Sequence, residues 1–263
     1  MSDATATATA VPHLPTAPMA EAVIFDHDGI LVDSIRPDFL ACSALFEEHG
    51  ATLPARIWAQ EVCGRPDGYP RLFDILLDTA NSPASSGAPD SPGPASSPGP
   101  GDSDPRAHAA LKERLSQLWE RFMTPEHIRL LPGVRDLLEQ LRAAGLPVAV
   151  ASAADTQWVR RWLDHFGIEE FFDTVVGGDE VPRRKPDPAV YLEASARLGV
   201  PASRCVAFED SLTGVTAAKA AGITVTAVPT ELTRSLDYSA ADHVLPGLWA
   251  VDLGRLGPSA GTP

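Results

Sequence analysis

The feature that most constrains the fold is a set of short apolar runs that stop at polar or turn residues. They are "VIFD" at Val23–Asp26, "PVAVAS" at Pro147–Ser152, "TVVGG" at Thr174–Gly178, "CVAFED" at Cys205–Asp210 and "TVTAV" at Thr224–Val228. Runs this short read as strands, and near-continuous apolar character means that both faces are covered. Between the later runs the pattern predicts helices: Pro132-Gly133 to Ala144 with Gly145 as the stop, then Thr156–Phe166, Pro188–Leu198 and Gly214–Ala221. Strands alternating with helices build βαβ units, so the expected fold class is α/β with a parallel sheet between helical layers.

"VIFD" belongs with these strands although a different block follows it. Asp38–His49 places Phe39, Leu40, Ala44 and Leu45 on one helical face, and Gly50 stops it. Ile57–Val62 and Tyr69–Ala80 read as further helices, and Ala107–Met123 spaces Leu111, Leu115, Leu118 and Phe122 helically. Asn81–Pro105 is rich in Pro, Gly and Ser and lacks large apolar residues, so it reads as an exposed low-complexity loop. The expected organisation is an α/β core from 21–35 and 129–255, an inserted all-helical unit over 36–128, a disordered tail at 1–20 and a short tail at 256–263.

A hydrophobic fraction of 44% with 21% charged residues suits a globular protein. The net charge of −14 opposes binding to nucleic acid or to an anionic membrane surface, so an anionic substrate would need local positive charge. Lysine is scarce, at positions 112, 185 and 219. Cys42, Cys63 and Cys205 show no metal-ligand spacing and suit buried thiols in a reducing cytoplasm. The first residues show neither the basic nor the apolar region of a signal peptide, and no run approaches the roughly 18 apolar residues of a membrane span.

Ligands of parallel α/β sheets bind beyond the carboxyl ends of the strands. Asp26, Asp28, Ser152, Glu209 and Asp210 all follow apolar runs, and Lys185 in "RRKPDP" opens the loop before a helix. Asp26 and Asp28 stand one residue apart after a buried strand, where like charges repel strongly. A bound cation is the first candidate to offset them. A calcium loop does not explain "DHDG", because Ile30, Leu31, Arg36 and Pro37 replace the later ligand positions.

"FDHDGILVDS", "VAVASAA", "KPDP" and "FEDSLTGVTAAKAAGI", in that order, resemble the four motifs of the haloacid dehalogenase (HAD) superfamily. The resemblance is to the phosphatase/β-phosphoglucomutase-like branch, whose helical cap follows the first motif. It implies a Rossmann-like HAD core with an inserted all-helical cap domain. Asp26 would be the nucleophile that becomes an aspartyl-phosphate, and Asp28 the general acid and then base. Mg²⁺ would be held by Asp26, the Asp28 backbone carbonyl and Asp210, with Glu209 in support. Ser152, with Ala153 beside it, and Lys185 would bind the phosphoryl group, and Arg65 in "CGRPDGY" would contact substrate from the cap. His27 is expected to pack or bond locally, and Gly29 to let the chain turn.

Asp28 argues against dehalogenation, because a halide leaving group needs no proton. Lys112 is the one lysine in the cap segment and is expected on its far side, against Schiff-base phosphonate chemistry. Asp38 stands where the β-phosphoglucomutases carry a histidine, which favours hydrolysis. The expected activity is a Mg²⁺-dependent phosphatase of a small phosphorylated metabolite, a sugar phosphate or a similar small-molecule phosphate ester, as a cytoplasmic monomer. Alternatives are a sugar phosphomutase and a non-catalytic HAD-like protein that binds a phosphorylated ligand. Trp58, Trp119, Trp158, Trp162 and Trp249 are left between core and interface.

Overall fold

The computed structural model describes residues 20–81 and 105–256; apart from their boundary residues, the expected tails at 1–20 and 256–263 and the loop at 81–105 lie outside the described residues. Strands β1 (Ala22–Phe25), β2 (Val148–Ala151), β3 (Thr174–Val176), β4 (Cys205–Glu209), β5 (Thr224–Ala227) and β6 (His243–Val244) form one sheet. Its order is β3-β2-β1-β4-β5-β6, with every neighbouring pair parallel. β1 pairs Phe25 with Val150 on one side and with Phe208 on the other, so the first strand lies at the centre.

Alternation along the strands divides the sheet into two packed faces. Val23, Phe25, Val150 and Phe208 point to a layer built from α5 (Val134–Ala143) and α6 (Thr156–His165). Ala22, Ile24, Ala149, Ala151 and Ala207 point to α7 (Ala189–Leu198) and α8 (Leu212–Ala220), where small side chains let the helices approach. β6 was not expected: it has two residues, and Val244 is 56% exposed, so no apolar run announces it.

Helices α1 (Ile35–Glu48), α2 (Ala55–Glu61), α3 (Gly68–Asn81) and α4 (Pro105–Phe122) surround an apolar cluster of their own. Leu111, Leu115 and Leu118 of α4 are buried there. The expected face of α1 is corrected in part: Leu45 is buried as expected and Phe39 and Ala44 pack partly against the cluster, but Leu40 is exposed, and Ala41, Cys42 and Phe46 are buried beside Leu45. The buried positions lie four apart in two adjoining rows, a stripe turned by about one residue from the expected one. This unit sits over the carboxyl end of the sheet, and Thr213 Oγ1 of α8 donates to the Gly64 carbonyl at 2.5 Å.

Candidate active site

Beyond Phe25 the ladder continues for one step, with the Asp26 N–H donating to the Phe208 carbonyl at 3.0 Å. The chain then turns at Gly29, whose φ is +84°; a Cβ there would lie 2.1 Å from Asp210 Oδ2. Only glycine meets both demands. Lys185 reaches into the floor from the loop before α7, its Nζ donating to Asp26 Oδ1 at 2.7 Å and to Glu209 Oε1 at 2.5 Å. Tyr191 O–H donates to the same Glu209 oxygen at 2.6 Å, and Ser211 Oγ–H to Glu209 Oε2 at 3.0 Å. A Cβ at Gly214 would fall 1.9 Å from the Glu209 carboxyl group, so the glycine of "FEDSLTG" makes room for that carboxylate.

Glu209 thus has both oxygens engaged by protein donors. Asp210 does not: its Oδ2 is buried without a hydrogen-bond partner, while its backbone carbonyl accepts from Tyr238 O–H. Burial, followed by the charges of Asp26 and Glu209, drives the Asp210 pKa up. Burial and then the Glu209 charge raise Asp26 as well, against the pull of Lys185. For Lys185 burial works the other way, but the Asp26 and Glu209 charges outweigh it and keep the ammonium protonated. Three buried carboxylates against one ammonium leave a deficit of positive charge. Ligand atoms of Asp26, Glu209 and Asp210 lie within 4.8 Å of one another. The orphaned Asp210 oxygen, the charge deficit and the all-oxygen donor set together fit a hard divalent cation.

Asp28 is held differently. Its Oδ1 accepts from Ser34 Oγ–H at 2.6 Å and from Trp158 Nε1–H at 3.1 Å, and its Oδ2 lies 3.2 Å from His27 Nδ1. His27 is fully buried, and neither of its ring nitrogens has a hydrogen-bond partner of good geometry. Burial alone would raise Asp28; the adjoining His27 and the Ser34 and Trp158 donors more than offset it, bringing the pKa down to about 2.

Above this floor opens a cavity of about 950 Å³, lined from below by Asp26, Asp28, Ser152, Lys185 and Asp210, and from the helical unit by Asp38, Arg65, Tyr69 and Trp119. Ser152 is buried, and its Oγ accepts from the Ala154 N–H at 3.0 Å. Ala153 lines the cavity, and its carbonyl accepts from Arg184 at 2.6 Å. Arg65 is exposed and lies 3.3 Å from Asp67. Asp38 accepts from Trp119 Nε1–H at 2.8 Å and from Tyr69 O–H at 3.0 Å; burial nevertheless pushes its pKa up to about 6.

Every residue singled out from the sequence as a site candidate therefore lines this cavity or, for Glu209, braces its floor. Trp119 and Trp158, left between core and interface, stand in the cavity wall; Trp58 and Trp162 are core, and Trp249 is 64% exposed. Ser34, Tyr191 and Tyr238 were not singled out. Ser34 had a signal, its fixed place at the end of "DGILVDS"; the tyrosines had none beyond their type.

A family model described as haloacid dehalogenase-like hydrolase matches residues 20–222. The protein CbbY of Rhodobacter capsulatus is 32% identical over 237 residues, 88% of this chain and 94% of that one. The phosphorylated carbohydrates phosphatase of Thermotoga maritima is 31% identical over 205 residues, covering 77% and 82%. Among solved structures, a variant of CbbY from Rhodobacter sphaeroides in complex with xylulose-1,5-bisphosphate superposes with a TM-score of 0.62 at 27% identity, covering 88% of this chain and 96% of that one.

Proposed function

The chain belongs to the haloacid dehalogenase-like hydrolases, in the phosphatase branch, and from that premise we propose that it is a Mg²⁺-dependent phosphatase of small phosphorylated metabolites, sugar phosphates foremost, working through an aspartyl-phosphate. The observation that carries the reading is a buried carboxylate, Asp26, held at 2.7 Å by Lys185 at the foot of an open cavity with Asp28 and Asp210 beside it.

In the first half-reaction an Asp26 oxygen forms a bond to phosphorus while the bond from phosphorus to the ester oxygen breaks. Asp28 delivers a proton to that leaving oxygen. In the second, Asp28 takes a proton from water as the water oxygen attacks phosphorus, releasing inorganic phosphate and restoring Asp26. With its pKa brought down to about 2, Asp28 stands ready as the base. Its acid role needs a proton, which the arriving phosphoryl charge and the loss of water favour.

Lys185 offsets the negative charge of Asp26 and of the phosphoryl oxygens, and the Ser152 hydroxyl and the amide of Ala153 donate to those oxygens. Asp26, the Asp28 backbone carbonyl and Asp210 would hold Mg²⁺, with Glu209 fixing Lys185 alongside; when bound, the ion neutralises the carboxylates and withdraws charge from the phosphoryl group. Residues 21–35 and 129–255 act as the catalytic core and 36–128 as the cap that excludes bulk water. The cysteines are free thiols, in keeping with a cytoplasmic enzyme, and we take it to act as a monomer.

The test is phosphate release from a panel of monoesters with Mg²⁺, with EDTA, and with Asp26→Asn. Metal-dependent release that the substitution abolishes is the expected result. Conversion of β-glucose 1-phosphate to the 6-phosphate without release would make the protein a mutase. Silence in both assays from folded protein would leave a ligand-binding role.

A further inference from the structure

The catalytic floor explains how a phosphoryl group is held but not what is attached to it. That part of a substrate lies against the cavity wall supplied by the helical unit, whose charged groups are Asp38, Arg65 and Glu120, and of these Asp38 is held in place by aromatic donors. Asp38, in the first turn of α1, contributes a carboxylate to the cavity lining. Most of its neighbours there are apolar or aromatic, among them Ile35, Val62 and Met123.

The carboxylate is gripped from two sides by neutral donors. Trp119 Nε1–H of α4 binds Oδ1 at 2.8 Å, and Tyr69 O–H of α3 binds Oδ2 at 3.0 Å; the Cys42 thiol adds a weak contact at 3.8 Å. A carboxylate has about four acceptor positions, so one strong donor on each oxygen leaves capacity for more. No ammonium or guanidinium forms an ion pair with it among the described residues. The residue is half-buried rather than sealed, so its remaining acceptor capacity faces the space a substrate would enter.

Resting on the phosphatase reading above, we propose that Asp38, positioned by Tyr69 and Trp119, is a substrate-recognition residue that accepts hydrogen bonds from hydroxyl groups of the leaving group, so that the enzyme selects phosphorylated polyols and sugars. A hydroxyl donates to an ionised carboxylate in a charge-assisted bond, which is strong where water is excluded. A carboxylate-bearing leaving group would instead meet like charge from both Asp38 and Asp28. Three guanidiniums line the cavity: Arg65 is paired with Asp67 and Arg184 with Asp155, which limits their relief, while Arg161 lies over the Trp162 ring on the core side. An aryl phosphate has nothing to donate and forgoes the interaction without incurring repulsion.

The experiment compares kcat and KM for three ester classes with the wild-type chain, Asp38→Ala and Asp38→Asn, all with Mg²⁺. Glucose 6-phosphate and glycerol 3-phosphate carry free hydroxyls, p-nitrophenyl phosphate carries none, and phosphoglycolate carries a carboxylate. With wild type the hydroxylated esters are expected to exceed phosphoglycolate in kcat/KM. Asp38→Ala should lower kcat/KM on the hydroxylated esters by about 10- to 100-fold, mostly through KM, as expected for a lost hydrogen bond to a charged group. The same substitution should leave p-nitrophenyl phosphate within about threefold and raise activity on phosphoglycolate. Asp38→Asn, which keeps the shape and one acceptor, guards against a cap loosened by alanine and should fall between the two. Equal losses on all classes in both variants would reduce Asp38 to a brace between helices and overturn the inference. A wild-type preference for phosphoglycolate would overturn it too, while leaving the phosphatase reading intact. No hydrolysis of any ester by wild type would remove that reading, and the inference with it.

Discussion

Asp28 on the floor and Asp38 in the roof are both half-enclosed carboxylates in the same cavity, yet they are pushed in opposite directions, down to about 2 and up to about 6. Both suffer burial, and each has two neutral hydrogen-bond donors from protein. Asp28 has His27 beside it at 3.2 Å; Asp38 is given no such partner. The imidazole beside Asp28, rather than the number of hydroxyl or indole donors, decides the sign. The contrast extends to the surroundings. The floor is a charge lattice of Asp26, Lys185, Glu209 and Asp210, whereas the roof holds Asp38 between two aromatic donors, with Arg65 and Glu120 exposed on the same lining. Chemistry on a phosphoryl group needs charge states that do not drift; recognising a leaving group needs an acceptor that is placed but not saturated.

The contrast is broken most severely at the floor. Asp26→Asn is expected to lower phosphate release by about 10⁴-fold or more, because no other carboxylate is placed to form the bond to phosphorus. The far-ultraviolet circular dichroism should be unchanged, since the amide keeps the shape and Lys185 retains Glu209. Residual activity above about a hundredth of wild type would remove Asp26 from the nucleophile role. Lys185→Met attacks the lattice itself. It strands Asp26 and Glu209 without their shared ammonium, and removing one partner of a buried ion pair costs about 3–5 kcal/mol. Urea denaturation should show that loss together with inactivity. A stability within about 0.5 kcal/mol of wild type would mean the two carboxylates are not charged together.

The same difference explains what could be read in the sequence. The floor was legible because its residues cluster in chain order at strand ends, where α/β topology gathers them: Asp26 and Asp28 after β1, Ser152 after β2, Glu209 and Asp210 at β4. Gly29 and Gly214 were legible as part of the same motifs, and the clashes that a Cβ would make with Asp210 and Glu209 supply the reason. The roof was not legible. Asp38, Tyr69 and Trp119 come from three helices, 31 and 81 positions apart, and no local pattern links them. Trp158 meets Asp28 across 130 positions for the same reason. On α1 the apolar pattern points to Leu40 as well as Leu45, yet Leu40 is exposed, a common fate for a single surface leucine. Even so, Asp38 could be noticed as an odd residue at its position, although its role could not.

A titration of stability sharpens the comparison at the roof. Asp38 binds its proton more tightly when folded than its ordinary value of 3.8 allows, with a pKa of about 6. Between those values the native state holds a proton that the unfolded chain has released, so this contribution is full below pH 4 and is lost as pH rises through 6. The unfolding free energy of wild type minus that of Asp38→Asn should therefore fall between pH 4 and 7, by at most about 3 kcal/mol and by less where cavity water screens the charge. Taking the difference cancels Asp26 and Asp210, which titrate in both proteins. A flat difference would mean that Asp38 is not desolvated.

The smallest expected effect concerns Trp158, the donor that reaches the floor from the cavity wall. Trp158→Phe keeps a ring packed against Trp162, 5.6 Å away between centroids, and deletes only the N–H bonded to Asp28. A net hydrogen bond to a charged group is worth about 1.5–3 kcal/mol, and Ser34 and His27 remain in place, so the low end applies. Losing that donor should raise the Asp28 pKa and move the acidic limb of the kcat profile, where Asp28 acts as base on water, upward by about one unit, since one unit corresponds to about 1.4 kcal/mol. The change should be the same on hydroxylated and on aryl phosphates, which separates it from Asp38→Ala. A shift on one class alone would place Trp158 with the roof, as a surface for the leaving group, and the division between a charge-fixing floor and a recognising roof would have to be redrawn at that residue.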